Sequence, residues 1–481
     1  MSSTTIEEPT RPSPEPEGIG LADAQGNYRG HTRSERNRVT LWSTIAFTVM
    51  FAVWLQFGIL QEPIGKEFGL TTTQIAWLVA LPSLNGSVWR LLTGILADRF
   101  GGRVVMVVLM VVTAIPTIGV VFLQGSNYDC IETLNAQGLS SADLSAAISA
   151  QCTGGSAGFG TLLLFAFLIG LAGNSFTIGT SWNSAWFPKN NQGLALGIFG
   201  AGNVGASVTK LIAPTLLAAI PGIGWLAGMG LDNWRLVPII YAIVLILCAA
   251  LVWFLTPSPD LKPGARTPVV EQLKPLRFVR VWRFSLYYVV VFGAYVALSG
   301  WMPKFYRTEY PELSLAVAGL LTALFIFPAS LLRPLGGWLS DRYGARPILT
   351  MSFVLMIVTC FGMMFQMPAA PFTILLVLLG VGMGVGKAAV YKHIPEYFPK
   401  DVGSVGGLVG MIGGLGAVAF PPIFAYVDEW FDGIDLQAAT FGTLLVVVVI
   451  TTLWMEIVIM RQKRSGSDPY SLQREAAQAV R

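Results

Sequence analysis

Residues 90–103 read Arg90-Leu-Leu-Thr-Gly94-Ile-Leu-Ala-Asp98-Arg99-Phe-Gly101-Gly-Arg103. Residues 333–346 read Arg333-Pro-Leu-Gly-Gly337-Trp-Leu-Ser-Asp341-Arg342-Tyr-Gly344-Ala-Arg346. Each matched position lies 243 residues from its twin. A second pair, Phe187-Pro188-Lys189 and Phe398-Pro399-Lys400, repeats at 211 residues. So does Gly202-Asn203-Val-Gly205-Ala206 against Gly413-Gly414-Leu-Gly416-Ala417. The two offsets differ by 32, which is the length of segment 125–156. Its counterpart near 367–371 is very short, so one insertion in the first half explains most of the mismatch. The chain reads as two copies of one unit in the same orientation.

What surrounds these stretches sets the class. Of 481 residues, 53% are hydrophobic and 12% charged, with a mean hydropathy of +0.62. A soluble domain is about 25% charged, and a chain this long and apolar cannot close into one soluble core. That excludes a cytosolic enzyme, a secreted disulfide scaffold and a disordered chain. Runs of about 20 apolar residues predict transmembrane helices. Twelve such runs occur, near 39–60, 74–97, 104–124, 157–183, 194–219, 236–256, 284–303, 315–339, 347–366, 372–393, 404–427 and 437–460. The expected fold is an all-α membrane protein of two pseudo-symmetric six-helix halves, 39–256 and 284–460. Residues 1–38 read as a disordered tail without a signal peptide's features. Residues 257–283 read as a polar linker, and 461–481 as a polar tail.

Lysine and arginine give the orientation. With both termini inside, the predicted outer loops hold four of the 31 cations: Lys66, Arg235, Lys304 and Arg307. The inner loops and tails hold 23. A multi-pass protein of a cell's inner membrane, with cytoplasmic termini, is the expectation. Cys130 and Cys152 share the long outer loop, in an oxidising compartment if the membrane is bacterial. A disulfide is expected there, two free thiols being the alternative. Cys248 and Cys360 fall in apolar helices and read as small core residues.

The remaining four cations, Arg90, Lys210, Arg333 and Lys387, fall inside predicted helices. None of the 27 acids falls at a helix centre. Ionisable groups at membrane depth point to function, and four cations without an acid favour an anion. Arg90 and Arg333 are equivalent under the repeat, so they are expected to face each other across the bundle axis. A guanidinium offers a planar oxyanion two parallel hydrogen bonds. The bland alternative is that each arginine pairs with a helix carbonyl. With only His31 and His393 in the chain and no nucleophile–base set, neither enzyme chemistry nor a metal site or cofactor is expected. Gly200-Ala-Gly202-Asn-Val-Gly205 matches a dinucleotide fingerprint only formally, because no strand precedes it.

The duplicated Gly-x3-Asp-Arg-x-Gly-x-Arg loop resembles the loop motif of the major facilitator superfamily. It assigns Gly94, Asp98, Arg99, Arg103, Gly337, Asp341, Arg342 and Arg346 to gating loops. Phe187-Pro-Lys-Asn-Asn-Gln-Gly193 through Gly200 to Pro214 resembles the nitrate signature of the nitrate/nitrite porter (NarK-like) family. Gly407 to Gly416 resembles its second copy. That resemblance implies a clamp by Arg90 and Arg333 and a hydrogen bond from Asn203. It also implies close backbone approach at Gly202, Gly205, Gly413, Gly414 and Gly416, and aromatic walls from Phe176, Tyr288 and Phe292. The bundle-packing alternative stays open for each of these rings.

The implied activity is nitrate or nitrite transport by alternating access, as in nitrate assimilation. Anion entry into a negative-inside cell is opposed by about 2.3 kcal/mol per 100 mV. Electroneutral exchange or proton symport would overcome this. Arginine cannot release a proton, so Lys210, Lys387, Lys392 and His393 are the coupling candidates, and they favour symport. Interfacial anchoring is the alternative for Lys392 and His393. A facilitator for another small anion such as formate, and a non-transporting receptor, remain the competing classes. The expected partners are a small inorganic anion, protons and the lipid bilayer, not nucleic acid, with the chain a monomer.

Overall fold

The computed structural model describes residues 30–135, 137, 146–148, 150–155, 158–187, 189–219, 234–262, 277–397, 402–430 and 435–464. The protein is an all-α, multi-pass membrane protein. Eleven described helices are long and apolar enough to cross a bilayer, or twelve if one bent pair forms a single span. They are α1 (Arg33–Glu67), α2 (Thr72–Val88 and Arg90–Ala97, meeting at 42°), α3 (Gly102–Phe122) and α4 (Phe159–Trp186). Then come α5 (Ala195–Leu216), α6 (Leu236–Leu255), α7 (Val279–Glu309) and α8 (Leu315–Ser340). The last four are α9 (Ala345–Gly362), α10 (Ala369–Ile394), α11 (Val405–Trp430) and α12 (Leu436–Arg464).

Several helices outrun the apolar stretches that predicted them. α1 starts at Arg33, inside the expected tail, because Thr32 and Glu35 form a reciprocal capping box. His31 packs on Trp186, with ring centroids 4.3 Å apart. Residues 30–38 are thus ordered structure, while 1–29 lie outside the described residues. At its far end α1 continues to Glu67, well beyond residue 60. Its polar residues there are satisfied: Gln61 donates to Gly300, and Glu62 and Glu67 pair with Arg307 and Arg235. α7 runs from Val279, inside the expected linker, to Glu309, so Lys304 and Arg307 are helical rather than in a loop. α12 reaches Arg464.

The turns of the two repeats are alike. Gly101 and Gly344 precede α3 and α9 with φ of 93° and 90°. Only glycine adopts that region without strain, which accounts for their place in both copies. α3 packs on α6, α2 on α4, α9 on α10 and α12, and α7 on α11. Among the described residues, the main ties between first-repeat and second-repeat helices are α2–α11, α5–α8, α1–α7 and α2–α7.

These ties are uneven. Call the end bearing Arg103 and Arg346 the basic face. Away from it, the Thr72–Val88 part of α2 packs along α11, and Gly205–Ala219 along α8. Towards the basic face the same pairs touch at few points. At the opposite face Glu62 accepts from Arg307 at 3.1 Å, and Trp77 donates to the Tyr426 hydroxyl at 3.2 Å. Thr73 and Glu429 close the same seam. The halves are therefore sealed at the face opposite the basic one.

Candidate anion site

The site residues sit where helices depart from regular geometry. Arg90 follows the bend at Trp89, and Arg333 follows an interruption at Leu332. Asn203 lies in a 3₁₀ turn, Ala201–Val204, within α5. Phe176 follows another in α4, Gly170–Asn174. Phe292 lies in a π-helical segment of α7, Val289–Gly293. Irregular turns free backbone groups and re-aim side chains. In a membrane they persist only where protein or a polar cavity satisfies them.

Arg90 is buried, at 2% exposure. Its Nε donates to the Gly86 carbonyl and its Nη1 to the Gly410 carbonyl of α11, both at 2.9 Å. Its Nη2 is buried without a partner. Arg333 is half-buried. Its Nη2 donates to the Tyr288 hydroxyl at 3.3 Å, and its Nη1 is buried and unpartnered. One ring lies under both cations: Phe176 has its centroid 5.6 Å from Arg90 Cζ and 5.7 Å from Arg333 Cζ. Phe292 adds a second face 5.3 Å from Arg90 Cζ and stacks on Tyr288 at 4.9 Å. Cation–π contacts offset part of the cost of burying two like charges, but they cannot occupy the orphaned N–H groups.

Asn203 is fully buried with both amide atoms unpartnered, and its carbonyl lies 3.5 Å from the Tyr295 hydroxyl. The glycines mediate helix contact. Gly202 packs on Phe47 and Gly205 on the Thr48 backbone of α1; Gly413 packs on Tyr288 and Gly416 on Val289 and Gly293. A side chain at Gly414 would meet Ser87 Oγ and lie 3.6 Å from Arg90 Cζ. Gly410 of the glycine-rich second copy belongs to the same cluster, as do Ser87, Tyr295 and Tyr391, which the sequence does not mark as site residues. Tyr391 donates to the Gly406 carbonyl and stands edge-on to Tyr288 at 5.0 Å. The i+4 and i+7 spacing of Phe292 and Tyr295 from Tyr288 is the signal the sequence offers.

The coupling candidates separate in space. Lys387 Nζ sits 3.1 Å from the Tyr295 ring centroid and 5.9 Å from that of Phe292, donating to the Ala329 carbonyl at 3.0 Å. Lys210 is fully buried and donates to the Leu55 carbonyl at 2.9 Å. His393 lies at the basic face, stacked on Phe284, beside a cavity of about 10 Å³ lined also by Arg283 and Arg346. Lys392 is half-buried next to it.

The loop-motif residues hold other helices rather than one another. The Arg103 backbone N–H donates to the Asp260 carboxylate (2.8 Å), and its guanidinium donates to the Pro257 carbonyl. Asp260 also takes the indole N–H of Trp182 and of Trp186. Arg346 donates to Tyr397 and Gln462. Arg99 and Arg342 are exposed, Gly94 packs near Thr177, and Gly337 faces open space. The Asp98 and Asp341 side chains, Pro188 and residues 398–400 lie outside the described residues. Cys130 and Cys152 stand in disulfide geometry, with Cα atoms 5.8 Å apart, and Cys248 and Cys360 are buried free thiols. Among the described residues, no group of three or more His, Cys, Asp or Glu side chains could hold a metal ion.

Two stretches, 42–311 and 308–479, match the family model described as Major Facilitator Superfamily. The chain belongs to that superfamily of membrane transporters. It is 50% identical over 448 residues to a protein of Thermus thermophilus named probable nitrate/nitrite antiporter NarK1, covering 89% of this chain and 93% of that one. It is 31% identical to a Mycobacterium tuberculosis protein named probable nitrate/nitrite transporter NarK2, covering 83% and 90%. Among solved structures, an inward-facing, unoccupied bacterial homologue of the human lysosomal transporter Spinster superposes with a TM-score of 0.65. Sequence identity there is 18%, over 89% of this chain and 96% of that one, so that likeness concerns the fold.

Proposed function

We propose that this chain is a nitrate/nitrite porter of the NarK-like kind, moving a small planar oxyanion across a bacterial inner membrane by alternating access. The observation that carries this reading is the pair of unpartnered, buried N–H groups on Arg90 and Arg333 above the shared Phe176 ring. Two buried cations short of acceptors are relieved by a bound oxyanion, which accepts from both. Asn203 adds an amide, and Phe176 and Phe292 form flat walls. The names of the relatives support nitrate or nitrite as the ion. The chain acts as a monomer with both termini on the cytoplasmic side, and the basic face is that side.

Substrate approaches the arginines from whichever face is open. The half-exposed Arg333 and the loosely packed basic face support entry from that face, which this reading takes as cytoplasmic. Rocking would break the opposite seam and close the basic one. For energy coupling we favour proton symport, with Lys387 as the carrier, because its ammonium lies against the Tyr295 and Phe292 rings beside the site. Exchange of nitrate for nitrite is the second reading, favoured by the antiporter name of the Thermus relative.

Purified protein in liposomes tests both. Counterflow of isotopic nitrate, competed by nitrite more strongly than by formate, is the expected result. Vesicles that move neither ion overturn the reading. Nitrate uptake that acidifies the lumen selects symport, whereas uptake that requires preloaded nitrite selects exchange.

A further inference from the structure

Lys210 lies away from the arginine pair, buried among polar groups of its own. Asn203, Ser207 and Lys210 follow one another at intervals of four and three along α5, a spacing that places them on one face. Seven residues of helix span about 10 Å, so Lys210 stands roughly that far from Asn203 towards the sealed face. The ammonium is fully buried. It has three N–H groups, of which the Leu55 carbonyl takes one. That carbonyl lies at the interruption between Trp54 and Phe57, where Gln56 is also fully buried with both amide atoms unpartnered.

One turn further along α1, Gln61 bridges the seam. Its Nε2 donates to the Gly58 and Gly300 carbonyls at 2.6 and 2.9 Å, and its Oε1 has no partner. A Cβ at Gly58 would lie 2.7 Å from Gly300 Cα and 2.8 Å from Lys210 Nζ. So Lys210 stands where α1, α5 and α7 meet, on the line along which the halves must part. Glu62, the next carboxylate outward on α1, is already held by Lys66 at 3.2 Å and Arg307 at 3.1 Å. The cation is left with spare donors beside an idle amide and no acid of its own.

From this placement we infer a transit subsite for the transported oxyanion, formed by Lys210 with the Gln56 and Gln61 amides when the seam opens. It would receive an ion arriving from the sealed face and pass it along the α5 stripe to Asn203 and the arginines. In the closed state the Gln61 amide N–H groups are held by the Gly58 and Gly300 carbonyls and one Lys210 N–H by that of Leu55, so ion binding to these groups competes with closure. The inference rests on the anion-transport reading above.

The test compares the two faces of oriented proteoliposomes. Lys210→Gln should raise the half-saturation for nitrate added at the sealed face at least fivefold and leave that at the basic face unchanged. Lys210→Arg should keep it near wild type, and Gln56→Leu should raise it about twofold at the same face, covering the case in which Lys210→Gln fails to fold. Equal changes at both faces, or none in any variant that folds, overturn the subsite. Unchanged half-saturation with lost uphill uptake also overturns it, assigning Lys210 to proton coupling instead. If wild-type vesicles move neither nitrate nor nitrite, the transport reading itself has failed, which is a separate outcome.

Discussion

Arg90 and Arg333 occupy matching positions in the two copies of the repeat, yet the protein holds them by different means. Arg90 is locked by two main-chain carbonyls, one from its own helix and one from α11 across the bundle, and is shut from solvent. Arg333 has one phenol partner and stays half-exposed. The loop ends differ in the same sense. The Arg103 guanidinium donates to the Pro257 and Trp253 carbonyls and its backbone N–H to Asp260, whereas the Arg346 guanidinium donates to the Tyr397 and Gln462 side chains. The repeat supplies matching positions, but the two arginines are held unequally, one by main-chain carbonyls and one by a phenol.

Breaking this asymmetry should give graded effects. The largest is expected from Arg90→Lys, which loses the fork and both carbonyl anchors. A loss of about 3 kcal/mol is typical of a buried charge-assisted contact, so nitrate half-saturation in counterflow should rise on the order of 100-fold. Arg333→Lys should cost nearer tenfold in the same assay. Equal losses would show that the two cations are functionally symmetric.

Gly414→Ala comes next. Its methyl would press on Ser87 and the Arg90 guanidinium, and overpacking of this kind costs about 1–3 kcal/mol. Weakening of roughly tenfold, without aggregation on size exclusion, is expected. Asn203 is its counterpart in the other copy. Asn203→Ala removes one neutral amide worth about 1 kcal/mol, so about a fivefold rise in half-saturation should follow.

The smallest effect concerns the loops. Asp260→Ala strips acceptors from two indoles and the α3 N-terminus, and should lower stability by about 1–3 kcal/mol. Gln462→Ala on the other half should cost under about 1 kcal/mol. Thermal unfolding in detergent would rank them, and nitrate half-saturation should not move in either.

Much of this architecture is legible in the residues alone. Repeats in register and apolar runs are long-range signals that survive without contacts, so the membrane class and the paired arginines could be read from residues alone. The helix ends could not. Gln61, Glu62 and Glu67 look like loop residues until their partners Gly300, Arg307 and Arg235, all remote in sequence, are placed beside them. The same holds for Lys210 and Lys387. Sequence shows a lysine at depth, but only packing shows one against the Tyr295 ring and the other against the Leu55 carbonyl. The place of Tyr391 is not legible in the sequence, because it depends on α10 lying against α7 and α11.

The benzene ring of Phe176 has a consequence for selectivity. In the proposed site both guanidinia lie over one rigid, non-polar disc, their Cζ atoms 5.6 and 5.7 Å from its centre. An ion too bulky to lie flat on that disc would have to displace the arginines, so the ring would act as a gauge block. Ions would thus be sorted by thickness as well as by charge, and a slimmer residue at position 176 would loosen the calibration.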